Sequence, residues 1–131
     1  MAGLHFELVS PAKLLFSGDV TSVTIPGSEG EMGIFAGHAP LLSTLRPGYV
    51  VVAKDGGQTE KIFVRGGFAE VNPQGLTVLA ETAIASADLN ASTMAEQVAS
   101  AEAEVGLAKD DEAKRKANEA LEYLKGIAAG L

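Results

Sequence analysis

Residues Tyr49-Val50-Val51-Val52-Ala53-Lys54-Asp55-Gly56-Gly57-Gln58-Thr59-Glu60-Lys61-Ile62-Phe63-Val64-Arg65 decide the fold. Two β-type runs flank an Asp-Gly pair, which supplies the backbone freedom that a tight hairpin turn needs. Tyr49 to Ala53 shows no polar alternation, so its strand is expected to be buried on both faces, in the middle of a two-layer sandwich. The same grammar extends outward. Upstream, Leu4, Phe6 and Leu8 alternate with His5 and Glu7 until Ser10-Pro11 ends the run. Val20 to Ile25 is rich in β-branched residues that suit a pleated surface, with Pro26-Gly27 as its stop. Downstream, Asn72-Pro73-Gln74-Gly75 turns one run (68–71) into the next (76–79). Short runs punctuated by turn residues from Leu4 to about Ala83 predict an antiparallel β-sandwich.

After Ser86-Ala87-Asp88 alanine dominates and proline disappears, so the boundary is set at 1–87 for the sandwich and 88–131 for a helical appendage. Asn90 is placed as the N-cap of a helix through Val105, stopped by Gly106. Met94, Val98, Ala101 and Val105 form its apolar stripe. Asp110 or Asp111 caps a second helix with Ala113, Ala117, Ala120, Leu121 and Leu124 on one face. Asp110 with Lys114, Asp111 with Arg115 and Glu112 with Lys116 are acid-before-base pairs at i, i+4, worth about 0.2 to 0.5 kcal/mol each. The fold class is thus mainly β with an α appendage, an αα-hairpin. Its faces are largely alanine, which buries little area, so the hairpin is expected to hold to the sandwich weakly while staying helical.

At 131 residues and 47% hydrophobic content the chain can build a real core. A net charge of −7 disfavours nucleic acid and anionic membrane surfaces and favours basic partners. No cysteine is present, which removes disulfides, thiolate chemistry and Cys/His zinc sites. No apolar run reaches the ~20 residues of a membrane span, so direct insertion is not expected. Met1-Ala2-Gly3-Leu4-His5-Phe6-Glu7 lacks the pattern of a signal peptide, and Gly3 stands one position late for myristoylation.

The densest glycine stretch is Gly27-Ser28-Glu29-Gly30-Glu31-Met32-Gly33-Ile34-Phe35-Ala36-Gly37-His38-Ala39-Pro40-Leu41-Leu42. A phosphate cradle needs converging amides helped by a lysine and a hydroxyl, and here Glu29 and Glu31 would repel the anion. Gly27, Gly30, Gly33 and Gly37 suit positive φ or close approach by another chain, so the stretch reads as a tightly folded exposed loop. The two carboxylates lack the further oxygen donors of a calcium loop, and no metal site is expected. With two histidines and no nucleophile beside either, enzyme chemistry has no support. His5 reads as a solvated residue on a polar strand face. His38, ahead of Ala39-Pro40, sits in extended backbone, either hydrogen-bonded locally or presented to a partner.

This glycine stretch, preceded by Phe16-Ser17-Gly18 and followed by Pro47-Gly48, closely resembles the epsilon subunit of the bacterial rotary ATP synthase. Gly66-Gly67-Phe68-Ala69-Glu70-Val71 and Leu76-Thr77-Val78-Leu79-Ala80-Glu81-Thr82-Ala83 belong to the same resemblance, which spans nearly the whole chain and is most specific in its first two thirds. It implies a non-catalytic, cofactor-free rotor subunit that couples rotation of a proton-translocating ring to ATP synthesis. It also implies a peripheral position on the cytoplasmic face of the bacterial inner membrane. The residues carried over are Ser10, His38, Ala39, Pro40 and Leu42 for the gamma subunit, and Gly30, Glu31 and Met32 for the ring of membrane c subunits. Lys109, Lys114, Arg115 and Lys116 would meet the beta and alpha subunits of the catalytic head and restrain ATP hydrolysis; a solvated helix face is the other reading. Gly126 and Gly130 disfavour a long penetrating helix, so any brake is expected to be weak. ATP-binding relatives resemble Leu-Asp-x-x-Arg-Ala where this chain has Leu89-Asn90-Ala91-Ser92-Thr93-Met94. Asn90 and Thr93 lack the carboxylate and guanidinium, so no ATP site is expected. The alternative is a stand-alone binding module whose hairpin is regulatory.

Overall fold

The computed structural model describes residues 3–131. Met1 and Ala2, which open the stretch read for a leader, lie outside the described residues. The chain forms two compact units, one ending at Ser86 and one spanning Ala87–Leu131.

The first unit contains β1 (Leu4–Val9), β2 (Leu14–Val20), β3 (Ser22–Gly27), β4 (Gly30–Phe35), β5 (Leu41–Thr44), β6 (Gly48–Ala53), β7 (Thr59–Asn72) and β8 (Gly75–Ala85). Their order is β2-β1-β8-β7-β6-β3-β4, with β5 paired to β7 off this path. Neighbours are antiparallel except β1 and β8, which run parallel with Phe6 opposite Leu76. The sheet folds over one core in which Phe6, Leu8, Val23, Ile25, Ile34, Val50, Val52 and Val78 are fully buried.

The long strand β7 lets one sheet become two layers. Its first half pairs with β6, Thr59 facing Ala53 and Val64 facing Gly48, while Phe68 to Val71 pair with β5. Between the halves Gly66 and Gly67 take φ of +74° and +102°, values closed to most L-residues. A Cβ on Gly67 would run into the Leu79 carbonyl oxygen. The run ending at Arg65 and the run opening at Phe68 are thus one strand, bent at Gly66-Gly67.

Three local expectations need correction. The run from Val20 to Ile25 is split, Val20 ending β2 and Ser22 opening β3 around a bend at Thr21. Pro26 and Gly27 stay in β3, because β3 pairs with β6 only through Thr24 and the missing N–H costs no ladder bond there. The Pro26 carbonyl instead accepts from the Arg46 N–H at 2.9 Å. The glycine stretch is not a loop at its start. Gly27 faces Gly30 and Pro26 faces Glu31, so β3 and β4 form a hairpin with Ser28-Glu29 at the tip. Gly30 and Gly37 have positive φ, whereas Gly27 serves close approach, since a Cβ there would meet the Gly30 oxygen and Met32 Cε at 2.8 Å.

The second unit is a pair of packed helices, α1 (Ala91–Leu107) and α2 (Asp111–Ala129). α1 continues one residue past Gly106, and α2 passes through Gly126 to a C-cap at Gly130. Asn90 Oδ1 accepts from the Thr93 N–H and Thr93 Oγ1 accepts from the Asn90 N–H, both at 2.9 Å, a reciprocal capping box. Asp110 caps α2, its Oδ1 accepting from the Ala113 N–H at 2.7 Å. Met94 and Ala101 of α1 and Leu121 and Leu124 of α2 are buried, as the stripes require.

Candidate functional site

Alternation along β1, β5, β8 and the second half of β7 sends one set of side chains into the core and the other to a shared outer face. Register then places Phe68 opposite Leu79 and Leu79 beside Val9, which pairs with Leu14. These four side chains form an apolar row, with Phe68 and Leu79 each 40% exposed and Leu14 57%. One step to one side lies a polar row, Glu7, Thr77 and Glu70, with Leu42 at its β5 end. One step to the other side Glu81 lies over Gly66. A groove of ≈ 330 Å³ opens on the apolar row between Ser10-Pro11 and the Phe68–Leu79 pair, with Glu81 on its wall.

The sequence-derived shaft residues fall around this face rather than in one spot. Ser10 lines the groove, its N–H and carbonyl closing the β1–β2 turn on Lys13. Leu42, 68% exposed, lies with Gly30, Glu31 and Met32 along a cleft of ≈ 430 Å³ between the β3–β4 tip and β5. His38 and Pro40 line a third hollow, of ≈ 270 Å³, together with His5 and the Asn72–Gly75 turn. His38 Nδ1 lies 2.7 Å from the Ala39 carbonyl oxygen, so this nitrogen donates, and the ring is exposed. His38 is therefore locally hydrogen-bonded and exposed at once. The apolar row of Val9, Leu14, Phe68 and Leu79 escaped sequence reading; the signal was Leu79, an apolar residue out of phase with buried Leu76 and Val78.

His5 is more than solvated. Its Nδ1 lies 3.0 Å from Asp19 Oδ1 and its Nε2 3.5 Å from Glu7 Oε2, which also accepts from Ser17 Oγ at 3.4 Å. The hydrogen bond to Asp19, then that to Glu7, raises its pKa above the ordinary 6.5. Among the described residues no group of three or more His, Asp or Glu is arranged to hold a metal ion.

On α2 the expected Glu112–Lys116 pair forms, while the other two expected pairs give way to different partners. Arg115 donates to Glu112 at 2.7 Å and to Glu119 at 2.9 Å instead of meeting Asp111, and Lys116 approaches Glu112 at 3.9 Å. The Arg115 hydrogen bond, followed by its charge, lowers the Glu112 pKa. Asp110 is taken by the cap. Lys109 and Lys114 are exposed.

Comparison with known proteins decides the family. Residues 3–86 match the family described as ATP synthase, Delta/Epsilon chain, beta-sandwich domain. The ATP synthase epsilon chain of Parvibaculum lavamentivorans is 56% identical over 124 residues, covering 95% of this chain and 94% of that one. The chain belongs to the ATP synthase epsilon-chain family. The Maricaulis maris epsilon chain is 47% identical, covering 87% of this chain and 85% of its own length. Among solved structures, a chain of the Euglena gracilis mitochondrial ATP synthase OSCP/F1/c-ring assembly is 26% identical with a TM-score of 0.74, covering 99% of this chain and 82% of that one. A chain from the Tetrahymena thermophila mitochondrial central stalk and c-ring, at 14% identity and a TM-score of 0.66, shares the fold over 96% of both chains.

Proposed function

We propose that this chain is a non-catalytic central-stalk subunit of a proton-translocating ATP synthase, held peripherally on the cytoplasmic face of a bacterial inner membrane. The observation that carries this is the 56% identity over 95% of the chain, which takes in hairpin as well as sandwich. Residues 1–87 join the rotor shaft to the ring, and residues 88–131 form an appendage with at most a regulatory role. Ser10, His38, Ala39, Pro40 and Leu42 meet the gamma subunit; Gly30, Glu31 and Met32 meet the c ring. The exposed β3–β4 tip, with its two carboxylates, supports the ring assignment. Among the described residues no helix is long and apolar enough to cross a membrane.

The hairpin is at most a weak brake on ATP hydrolysis through Lys109, Lys114, Arg115 and Lys116 against the beta and alpha subunits. Arg115 is already held by two glutamates of its own helix, and breaking those contacts offsets part of any gain elsewhere. No ATP site forms at the start of α1, because Asn90 and Thr93 are engaged in capping it. The test is ATPase activity of the catalytic head stripped of this chain, then restored with the full chain or with a version ending at Ala87. Both versions are expected to co-elute with the head, with hydrolysis differing less than about twofold between them. Failure of both to bind would overturn the rotor assignment in favour of a stand-alone module.

A further inference from the structure

The outer face of β5-β7-β8-β1 has a charge pattern that specifies more than an apolar contact. Its apolar row runs between acidic neighbours, Glu81 on one side and Glu70 and Glu7 on the other. At the outward positions of β1, β5, β8 and of β7 beyond Gly67 there is no lysine or arginine. The one basic group there is His5, flanked by two carboxylates. Lys13 belongs to the β1–β2 turn. Phe68 and Leu79 are large, adjacent and part-exposed, and they wall a groove of ≈ 330 Å³ big enough for one or two inserted side chains.

We infer that this face is keyed to a shaft-subunit segment presenting an apolar ridge bordered on both sides by lysine or arginine. This rests on reading the sandwich as the shaft-docking unit. Phe68 and Leu79 anchor the ridge, and Glu81 and Glu70 fix its register. Anchors seated in a desolvated groove supply most of an interface's affinity and control dissociation. Charges at the rim act mainly on encounter rate and orientation, and their effect fades with salt. The acidic rows thus select against shaft surfaces whose ridge carries carboxylates at its edges.

The experiment is binding kinetics of the full chain on the catalytic head with its shaft subunit, at low and at high salt, with the unfolding midpoint of every variant measured in parallel. Phe68→Ala and Leu79→Ala are each expected to weaken binding at least tenfold, chiefly through faster dissociation. Leu79→Lys, at a part-exposed position, is a second variant that introduces a mismatch. Glu81→Lys is expected to slow association several-fold at low salt and to reduce its salt dependence, with Glu81→Gln in between. If wild type itself does not bind, the rotor reading falls and takes this inference with it. If wild type binds and the Phe68 and Leu79 variants bind equally well, the anchor assignment alone is overturned. If Glu81→Lys leaves association unchanged at both salts, the basic-bordered partner is overturned.

Discussion

In the sandwich the defining contacts join residues far apart in the chain: Phe6 meets Phe16 with ring centroids 5.4 Å apart, and Leu8 lies beside Val78. In the hairpin the named polar contacts span three or four residues, Asn90 with Thr93, Asp110 with Ala113, and Arg115 with Glu112 and Glu119. The sandwich is therefore specified by register, where one displaced strand costs the whole core. The hairpin is specified locally by caps, alanine propensity and i, i+4 pairs, each worth a kilocalorie or less. A rotor joint needs the first kind of order. A helical appendage tolerates the second.

Substitution at the sandwich's tightest point gives the largest expected effect. Gly67→Val places a β-branched residue at φ +102° against the Leu79 carbonyl and is expected to destabilise the sandwich by about 4 kcal/mol or more, read by denaturant unfolding. A loss under about 1 kcal/mol would show that β7 can bend another way. Next in size, Asn90→Ala removes one arm of the capping box and should cost about 1 kcal/mol. Amide exchange should quicken in the first turn of α1 and not in β1 to β8. Faster exchange in the strands would contradict the division into local and non-local order.

The smallest effect is the pH response of His5. Its pKa is raised on folding, so its contribution is fully present below the unfolded value of 6.5 and is lost as pH rises through the folded value. The thermal midpoint should therefore drift down through this group as pH rises above 6.5, and His5→Gln should flatten the drift. The ring is exposed, so the change is small. An unaltered slope would mean that the carboxylate pairing does not persist in solution.

The same contrast explains what was legible in the sequence. Helix caps and stripes were readable because the interacting residues sit within a turn of one another, as Asn90 and Thr93 do. The β6–β7 hairpin was readable from its Asp-Gly turn and flanking apolar runs. The β3–β4 hairpin was hidden, because glycines at 27, 30 and 33 leave no side chains to reveal alternation. β7 looked like two strands since a paired glycine is punctuation in most contexts, and only its two pairing partners show the bend. Ser10 and Leu42 came from family resemblance alone, whereas His38 was also marked by its place ahead of Ala39-Pro40. The row of Phe68, Leu79, Val9 and Leu14 becomes visible only once four strands are in register.

The parallel pairing of β1 with β8 has a consequence during synthesis. β1 leaves the ribosome well before β8, since Leu76, which lies beside Phe6, follows 70 positions later, 76 minus 6. The β1–β2 hairpin is complete at Val20, 56 positions before Leu76 (76 minus 20), so at ordinary elongation rates it waits roughly 3 to 11 seconds with one edge open. A waiting edge invites pairing with other nascent chains. Glu7 and Asp19, on facing strands of that early hairpin, place negative charge along it throughout the delay. Charge of this kind is one of the ways in which an exposed edge is kept from pairing with other chains.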